Sequence, residues 1–298
     1  MIAPYPSFSK LDISHQKEVK SITDQFDPYS DFNFTSLFCW DVDKTSEISL
    51  LNDNLVIMLP DYMTGQSVFS VIGDNRLDDT LVELVSAFGE LKLIPEKVVT
   101  NLQDVTKLEI HEDEDNFDYI YSLAEHASLS GPKFKEKRKK TARFARVNEA
   151  GYKLKPVDIN NPDAAQEIRS TFSAWAKSKE KADDDTRQEL LALERLLENA
   201  DHFQLRTLVM ELGGRPAGFS IHEIINDIFA ISHFHKTVSS YDDNIDVFMN
   251  SAAAKDLLAA GCSYDNWEQD LGIPTLRKSK LSYKPVRFLK KYIVKPAR

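Results

Sequence analysis

The residues best able to do chemistry lie in two basic segments of an otherwise acidic chain. Residues 133–155 hold ten Lys and Arg and two Glu, and residues 277–298 hold nine Lys and Arg and no carboxylate. The whole chain carries a net charge of −10, so the remaining surface is strongly acidic. Such segregation gathers anions at one place and repels them elsewhere, which indicates a site for a phosphate-bearing partner. The alternative is two solvated helix faces.

Cationic and hydroxyl side chains in and near these segments are candidates for a phosphate cradle. Arginine makes bidentate contacts with phosphate, so Arg138 and Arg277 are the first choices. For any one lysine, ordinary surface charge is the alternative, and for Tyr283 it is core packing. The candidate substrate- and phosphate-binding residues are Lys133, Lys137, Arg138, Arg143, Lys236, Arg277, Lys280 and Tyr283.

Candidate acids and bases occur at two predicted strand ends. Glu268 and Asp270 follow Trp267 and are two residues apart, so both face one side if the strand persists. One of them either acts as general base toward an amine or hydroxyl, or holds Arg277 in place. His235 ends another predicted strand and is the third catalytic candidate. The segment that begins at His222 lacks the second histidine and the helix of a zinc-protease motif, so no metal site is expected.

The elements that position these residues follow from hydrophobic periodicity. In the first half, 55–60 and 67–73 predict strands, and the apolar spacing of 77–88, followed by Gly89, predicts a helix that ends there. Residues 91–102 are interpreted as one or two short strands, and 109–121 as a solvated turn before a short element.

The second half has a more regular pattern. Two helices are predicted from Pro162 and over 186–200, followed by three strands joined by turns at 213–214 and 226–227. A long helix over 244–260, a strand at 262–268 and a final strand at 285–294 complete the series. This order is the layout of the Gcn5-related N-acetyltransferase fold, and the first half reads as a weaker copy.

The predicted fold class is therefore α/β (α+β), with two tandem acetyltransferase-like domains whose mixed sheets are flanked by helices. The predicted domains are 1–130 and 151–298, joined by a basic connecting segment at 131–150.

Three segments carry a family resemblance. Residues 129–144 (LSGPKFKEKRKKTARF) and 267–292 (WEQDLGIPTLRKSKLSYKPVRFLKKY), with 29–40 (YSDFNFTSLFCW) upstream, resemble the phosphatidylglycerol lysyltransferase C-terminal domain family. The resemblance is to its soluble stand-alone members, which are similar to Fem-type aminoacyltransferases. It implies tandem acetyltransferase-like domains and transfer of an aminoacyl group from aminoacyl-tRNA, in the best-known members to the headgroup of phosphatidylglycerol.

This chain departs from the lipid-modifying members of the family in one respect, the N-terminal membrane domain. Lipid-modifying members usually carry a large N-terminal membrane domain, and none is expected here, so the acceptor is a lipid or a small amine or hydroxyl compound. An acyl-CoA-dependent N- or O-acyltransferase is the alternative. However, 236–248 (KTVSSYDDNIDVF) lacks the glycine-rich loop that would hold a pyrophosphate at a helix start. A non-catalytic module that binds anionic lipid or RNA is the third hypothesis.

The bulk properties predict a folded cytoplasmic protein. No stretch approaches the roughly 20 apolar residues needed to cross a bilayer, and the N-terminus has no secretion signal. Cys39 and Cys262 read as two buried thiols rather than a disulfide. No cofactor is expected beyond the donor substrate, aminoacyl-tRNA or acyl-CoA, and peripheral contact with an anionic membrane is a further expected interaction.

Overall fold

A computed structural model describes residues 1–61, 63–178 and 184–297. The strands are β1 (Ser9–Lys10), β2 (Glu47–Leu51), β3 (Asn54–Pro60), β4 (Ser67–Ile72), β5 (Leu91–Pro95), β6 (Leu108–Glu112), β7 (Asp118–Ser122), β8 (Tyr152–Val157), β9 (Leu205–Leu212), β10 (Arg215–Ile224), β11 (Phe229–Thr237), β12 (Tyr264–Asn266), β13 (Arg287–Leu289) and β14 (Lys291–Pro296). The helices are α1 (Gln16–Thr23), α2 (Phe34–Trp40), α3 (Leu77–Phe88), α4 (Glu96–Thr100), α5 (Leu123–Ser128), α6 (Lys135–Val147), α7 (Pro162–Ser178), α8 (Asp184–Glu198), α9 (Ile245–Ala259) and α10 (Pro274–Ser282).

The described residues divide into two compact units. Unit 1 comprises 1–119, 268–280 and 287–298, and unit 2 comprises 120–267 and 281–286. The C-terminal residues belong to unit 1 because β14 hydrogen-bonds β5 on one side and β6 on the other. This division differs from the continuous ranges predicted from the sequence, 1–130, 131–150 and 151–298.

Unit 1 contains an antiparallel sheet of order β1-β2-β3-β4 and a second sheet of order β5-β14-β6. The predicted helix at 77–88 is confirmed as α3, and its apolar spacing puts one row of side chains in the core, each no more than 4% exposed. This row is Leu77, Leu81, Leu84 and Val85, and it packs with Val56, Val71, Leu91, Ile94 and Val294.

Unit 2 contains the strand order β7-β12-β11-β10-β9-β8, in which Ile120–Ser122 of β7 pair with β12. Only β11 and β12 run parallel within this order, over Phe229–Ile231 and Tyr264–Asn266. Neighbouring side chains of a strand point to opposite faces. Lys236 contacts Glu189 of α8, whereas His235 contacts Asp246 of α9, so α8 and α9 cover opposite faces. The order of helices and strands predicted for 162–268 is confirmed.

The hairpin turns of unit 2 also follow the sequence prediction. Gly213 and Gly214 have φ of 60° and 74°, the left-handed values that a two-residue turn between β9 and β10 requires. The second turn, at 226–227, connects β10 and β11.

Other predicted elements were right only in part. Residues 91–102, predicted as one or two short strands, hold the single strand β5, because the chain turns into helix α4 after Pro95 and buries Val98. Residues 109–121 hold most of β6 and β7, not a solvated turn. The final strand at 285–294 is instead β13 and β14, and the basic segments hold helices α6 and α10.

The mixed α/β class is confirmed by the two units. Within the described residues, no helix combines the length and the apolar composition needed to cross a membrane.

Candidate functional site

A hydrogen-bonded group of side chains surrounds Asp246 in unit 2. We call it the Asp246 cluster, and it comprises Lys137, His235, Asp246, Asn250 and Tyr283. The hydroxyl of Tyr283 donates to Asp246 Oδ2 at 2.9 Å, and Asn250 Nδ2 lies 3.2 Å from the same oxygen. His235 Nε2 lies 3.2 Å from Asp246 Oδ1, within ion-pair reach but poorly aligned for a hydrogen bond. The ammonium of Lys137 lies 3.1 Å from the centre of the Tyr283 ring.

Secondary structure explains how this cluster assembles. His235 lies near the end of β11, and Asp246 lies in the first turn of α9. Asn250 is four residues after Asp246, so both side chains are on one face of the helix. Lys137 comes from α6, and Tyr283 follows α10. The main-chain oxygen of Tyr283 is held by His126 Nε2 at 2.8 Å.

The electrostatics of the cluster keep one acid ionised and one hydroxyl protonated. Burial and the nearby Asp246 carboxylate raise the pKa of Tyr283 well above its usual value, so its hydroxyl stays a donor. Partial burial raises the pKa of Asp246, but contacts with His235 and Tyr283 lower it more, and the net pKa is lowered. Burial lowers the pKa of Lys137 to about 8.

This arrangement can move a proton. A carboxylate that faces one imidazole nitrogen orients the ring and stabilises its cationic form. The side chains of His235 and Asp246 are 18% and 47% exposed, so a substrate can reach them. Tyr283 and Asn250 hold the carboxylate in place, and Lys137 supplies a cation beside it. The structure therefore brings three sequence candidates, Lys137, His235 and Tyr283, around an acid that sequence reasoning did not choose.

Asp270 and Arg277 form an ion pair in unit 1. Arg277 Nε lies 2.7 Å from Asp270 Oδ2, and Arg277 Nη2 lies 2.8 Å from Asp270 Oδ1 and 2.7 Å from Asp115 Oδ1. The Tyr119 hydroxyl also donates to Asp270. Burial raises the pKa of Asp270, but these bonds lower it below its usual value. Both oxygens of Asp270 are engaged, which is the geometry of an acid that holds Arg277.

Glu268 and Asp270 do not share a strand face. Strand β12 ends at Asn266, and Glu268 has a left-handed φ of 56°, so the alternation assumed from the sequence does not continue to Asp270. Ser36 Oγ lies 3.3 Å from Glu268 Oε1. Lys280 Nζ donates to the main-chain oxygens of Glu268 and Gln269 at 3.1 and 2.6 Å. Burial lowers the pKa of Lys280 to about 8.

Gly272 lies in this turn of unit 1, and its substitution tests how closely the turn packs against Asp115. Its φ is 70°, and a Cβ added there would lie 2.8 Å from Asp115 Oδ2. We expect Gly272→Ala to lower the free energy of unfolding by about 1–2 kcal/mol for the left-handed backbone, and by more for the displaced Asp115.

Gly65→Ala is the matched control for this prediction. Gly65 has a φ of 69° and nothing within 4 Å of an added Cβ, so it reports the backbone cost alone. Denaturant unfolding of the two variants measures the difference. Equal losses in the free energy of unfolding of the two variants would show that the contact with Asp115 does not affect stability.

Unit 1 also contains a buried ion group that sequence reasoning missed. This Lys291 cluster comprises Ser30, Asp31, Asp118, Gln269 and Lys291. Lys291 Nζ lies 2.7 Å from Asp118 Oδ1 and also contacts Asp31, and none of these three side chains is more than 1% exposed. Ser30 Oγ donates to Asp118 at 2.7 Å, and Gln269 Nε2 donates to Asp31 at 3.0 Å. The cluster ties Ser30 to Asp118, which is 88 residues away in the chain, and to Lys291, which is 261 residues away.

The other cationic candidates are dispersed. Lys133 pairs with Glu125 at 2.7 Å, and Lys236 pairs with Glu189 at 2.5 Å. Arg138 donates to the main-chain oxygens of Leu129 and Gly131, and Arg143 lines a cavity of about 460 Å³ beside Asp242. The candidates of unit 1 are Glu268, Asp270, Arg277 and Lys280, and those of unit 2 are Lys133, Lys137, Arg138, Arg143, His235, Lys236 and Tyr283.

Asp246 and Asn250 are the members of the cluster that sequence reasoning missed. Asp246 is not among the candidates chosen from the sequence. Its spacing of four residues from Asn250 is the signal that could have marked a polar helix face turned toward the end of β11.

The fold is that of a mixed α/β protein built from two compact units. Residues 23–295 match the family described as phosphatidylglycerol lysyltransferase, C-terminal. The chain belongs to this family, as the resemblance of its motifs predicted.

Solved structures share the fold of this chain. A conserved protein of unknown function from Bacteroides thetaiotaomicron is 25% identical, with a TM-score of 0.81 and full coverage of both chains. The structure of L-PGS from Bacillus licheniformis has a TM-score of 0.60 at 14% identity, covering 99% of this chain and 93% of that one. FemX has a TM-score of 0.57 at 8% identity, with 96% of each chain covered. The last two likenesses show a shared fold. No curated protein sequence matches the chain significantly.

Proposed function

We propose that this protein is an aminoacyltransferase that moves an aminoacyl group from aminoacyl-tRNA to an amine or hydroxyl, with the Asp246 cluster as its reaction site. The observation that carries the proposal is the contact of His235 and Tyr283 with one ionised carboxylate, beside the ammonium of Lys137. Membership of the phosphatidylglycerol lysyltransferase C-terminal family supports the reaction class. The acceptor is a lipid headgroup or a small cytoplasmic compound.

The proposed reaction assigns roles to His235, Asp246 and Lys137. The amine or hydroxyl of the acceptor loses its proton to His235 as it attacks the ester carbonyl of the donor. Asp246 stabilises the imidazolium that results. The new amide or ester bond forms as the bond to the terminal ribose oxygen breaks, and His235 returns the proton to that oxygen. Lys137 offsets negative charge on the donor or on the carbonyl oxygen.

The start of α9 favours this donor over a CoA ester. Asp242 Oδ1 accepts from the main-chain nitrogen of Asn244 at 2.7 Å, and Asp242 Oδ2 accepts from Asn148 at 3.0 Å. Burial raises the pKa of Asp242, but these bonds lower it more, so the carboxylate is ionised. A carboxylate at the helix start competes with a pyrophosphate for the same amide groups.

A transfer assay tests the proposal. Bulk tRNA charged with labelled amino acids is incubated with the protein and with lipid vesicles or small amines, and the label is followed out of the RNA fraction. We expect transfer to at least one acceptor class, together with thermal stabilisation by aminoacyl-tRNA. Stabilisation by acyl-CoA without transfer from tRNA would instead favour the acyl-CoA reaction.

The lowered pKa of Lys137 predicts how donor binding depends on pH. The side chain loses its charge as pH rises through about 8. KM for the donor should therefore rise about tenfold between pH 7 and 9 if the charged form binds. Lys137→Arg keeps its charge over this range and should remove most of the rise.

Lys280→Arg is the control for this pH profile, because the pKa of Lys280 is also lowered to about 8 but the residue lies in unit 1. If Lys280→Arg, and not Lys137→Arg, flattened the profile, the donor would not bind at the Asp246 cluster.

A further inference from the structure

A large groove in unit 2 has no role in the reaction steps above. Its volume is about 1090 Å³, at the upper end of the range of about 300–1,000 Å³ that is common for ligand sites. Helix α6 lines it through Thr141, Ala142 and Ala145, and α9 lines it through Ala252. These small side chains leave the space between the two helices open. We call it the α6–α9 groove.

The α6–α9 groove is separate from the Asp246 cluster. On α9, the side chains of Phe248, Ala252 and Lys255 line the groove. Asp246 and Asn250 of the cluster lie on the opposite face of the same helix, because an α-helix turns by about 100° per residue. A ligand in the groove therefore lies against the side of α9 that faces away from the proposed reaction site.

The interior of the groove is suited to an aliphatic ligand. Leu154 and Leu208 line it together with the alanines of α6 and α9. Two rings also belong to the lining, those of Tyr152 and Phe248, and their centres are 5.1 Å apart. Both rings pack on Phe144, with ring centres 5.7 and 4.5 Å away, so they are not open platforms for stacking. The lining therefore favours an alkyl chain over a flat aromatic ring or a base.

The charged side chains along the groove favour an anion. Asp256, one of the two acids of the lining, is ion-paired with Arg206 at 2.8 Å between Oδ1 and Nη2, which offsets its charge. The three cations of the lining are exposed, so a ligand can reach them. Positive charge therefore exceeds negative charge along the groove. The charged residues that line it are Arg138, Glu149, Lys153, Lys255 and Asp256.

A buried hydroxyl in the lining lacks a partner. Thr141 Oγ1 is shielded from solvent and makes no hydrogen bond within the described residues. An unsatisfied buried hydroxyl costs free energy unless a ligand or water bonds it. Because Thr141 lines the groove, the carboxylate of a ligand would supply the acceptor that this hydroxyl lacks.

We propose that the α6–α9 groove binds a single-chain aliphatic carboxylate. The alkyl chain packs against Leu154, Leu208 and Ala252, and its removal from water supplies most of the affinity. The carboxylate accepts from Thr141 Oγ1 and from the ammonium of Lys255, and these contacts fix its orientation. Apolar linings with a few polar groups of this kind are typical of small-molecule sites. The site does not depend on the proposed function, because no reaction step uses the groove.

Calorimetric titration of the whole chain with decanoate tests the groove, at concentrations below those at which the ligand forms micelles. Three comparison ligands separate the parts of the probe: octanoate shortens the chain, decyltrimethylammonium inverts the charge, and acetate keeps the carboxylate alone. We expect decanoate to bind at a single site. Octanoate should bind about tenfold more weakly, because it buries two fewer CH₂ groups. Acetate and decyltrimethylammonium should not bind measurably.

Variants of the lining locate the bound decanoate. Thr141→Val removes the unsatisfied hydroxyl at nearly constant volume, so it should keep the fold and weaken binding about tenfold. Lys255→Gln should also weaken binding, whereas Lys177→Gln makes the same change on α7, outside the groove, and should not. Ala252→Leu fills the groove from α9 and should weaken binding, whereas Ala259→Leu changes an exposed position of the same helix and should not.

Four results would overturn the groove as a carboxylate site. They are no binding of decanoate, equal binding of decyltrimethylammonium, wild-type affinity in both Thr141→Val and Lys255→Gln, and binding to vesicles rich in phosphatidylglycerol but not to decanoate. Asp246→Asn should bind decanoate as the wild type does. A loss in that variant, with wild-type binding in the groove variants, would place the ligand at the Asp246 cluster and also overturn the proposal. The transfer assay tests the proposed function independently of all these results.

Discussion

Asp246→Asn is expected to lower the rate of aminoacyl transfer by about 10²–10⁴, the range associated with loss of general acid–base catalysis. The amide keeps the size of the side chain and can still accept from Tyr283, but it cannot stabilise an imidazolium at His235. The fall should appear mainly in kcat, because the carboxylate acts on the proton transfer rather than on the donor. Single-turnover transfer with saturating aminoacyl-tRNA measures it directly.

Asp243→Asn is the matched control for this result. Asp243 precedes the same helix and is exposed, and its replacement by Asn removes the same charge from the chain. We expect transfer within about twofold of wild type in Asp243→Asn, and a loss similar to that of Asp246→Asn in His235→Gln. If both Asp246→Asn and His235→Gln transferred normally while folded, the Asp246 cluster would not be the reaction site.

Lys291→Met is expected to cause the largest loss of stability, about 3–5 kcal/mol in unit 1. Lys291 is fully buried between Asp31 and Asp118, so its removal leaves two carboxylates together without a cation. At about 2–4 °C per kcal/mol for a unit of this size, the midpoint of thermal unfolding should fall by roughly 6–20 °C. Differential scanning calorimetry of the whole chain measures the shift.

Asp31→Asn is the comparison that separates charge from packing in the Lys291 cluster. Burial raises the pKa of Asp31, and the attraction of Lys291 only partly offsets this. A folded-state pKa above the unfolded value contributes stability at low pH that is lost as pH rises through it. Asp31→Asn removes one of the two negative charges, so it should lower stability less than Lys291→Met does. The part of the stability that depends on the titration of Asp31 should also disappear. A loss as large as that of Lys291→Met would mean that hydrogen bonding, and not charge balance, holds the cluster.

The sequence predicted most of unit 2 because the residues at its helix ends and turns are enough to define those elements. Pro162 marked the start of α7, paired glycines defined the turn after β9, and Gly261 follows the end of α9. The motifs at 129–144 and 267–292 identified the family. Predictions failed where a distant partner decides the structure. Strand β14 is determined by pairing with β5 and β6, nearly 200 residues earlier in the chain.

The candidate site shows the same limit. The sequence by itself determined the mixed α/β class, the family, and the positions of Lys137, His235 and Tyr283 in separate elements. Only the tertiary structure decided that these three meet at Asp246, and that Asp270 instead holds Arg277. Residue type and spacing encode local propensity, whereas the pKa of a lysine or a carboxylate depends on burial and on charges brought near it by folding.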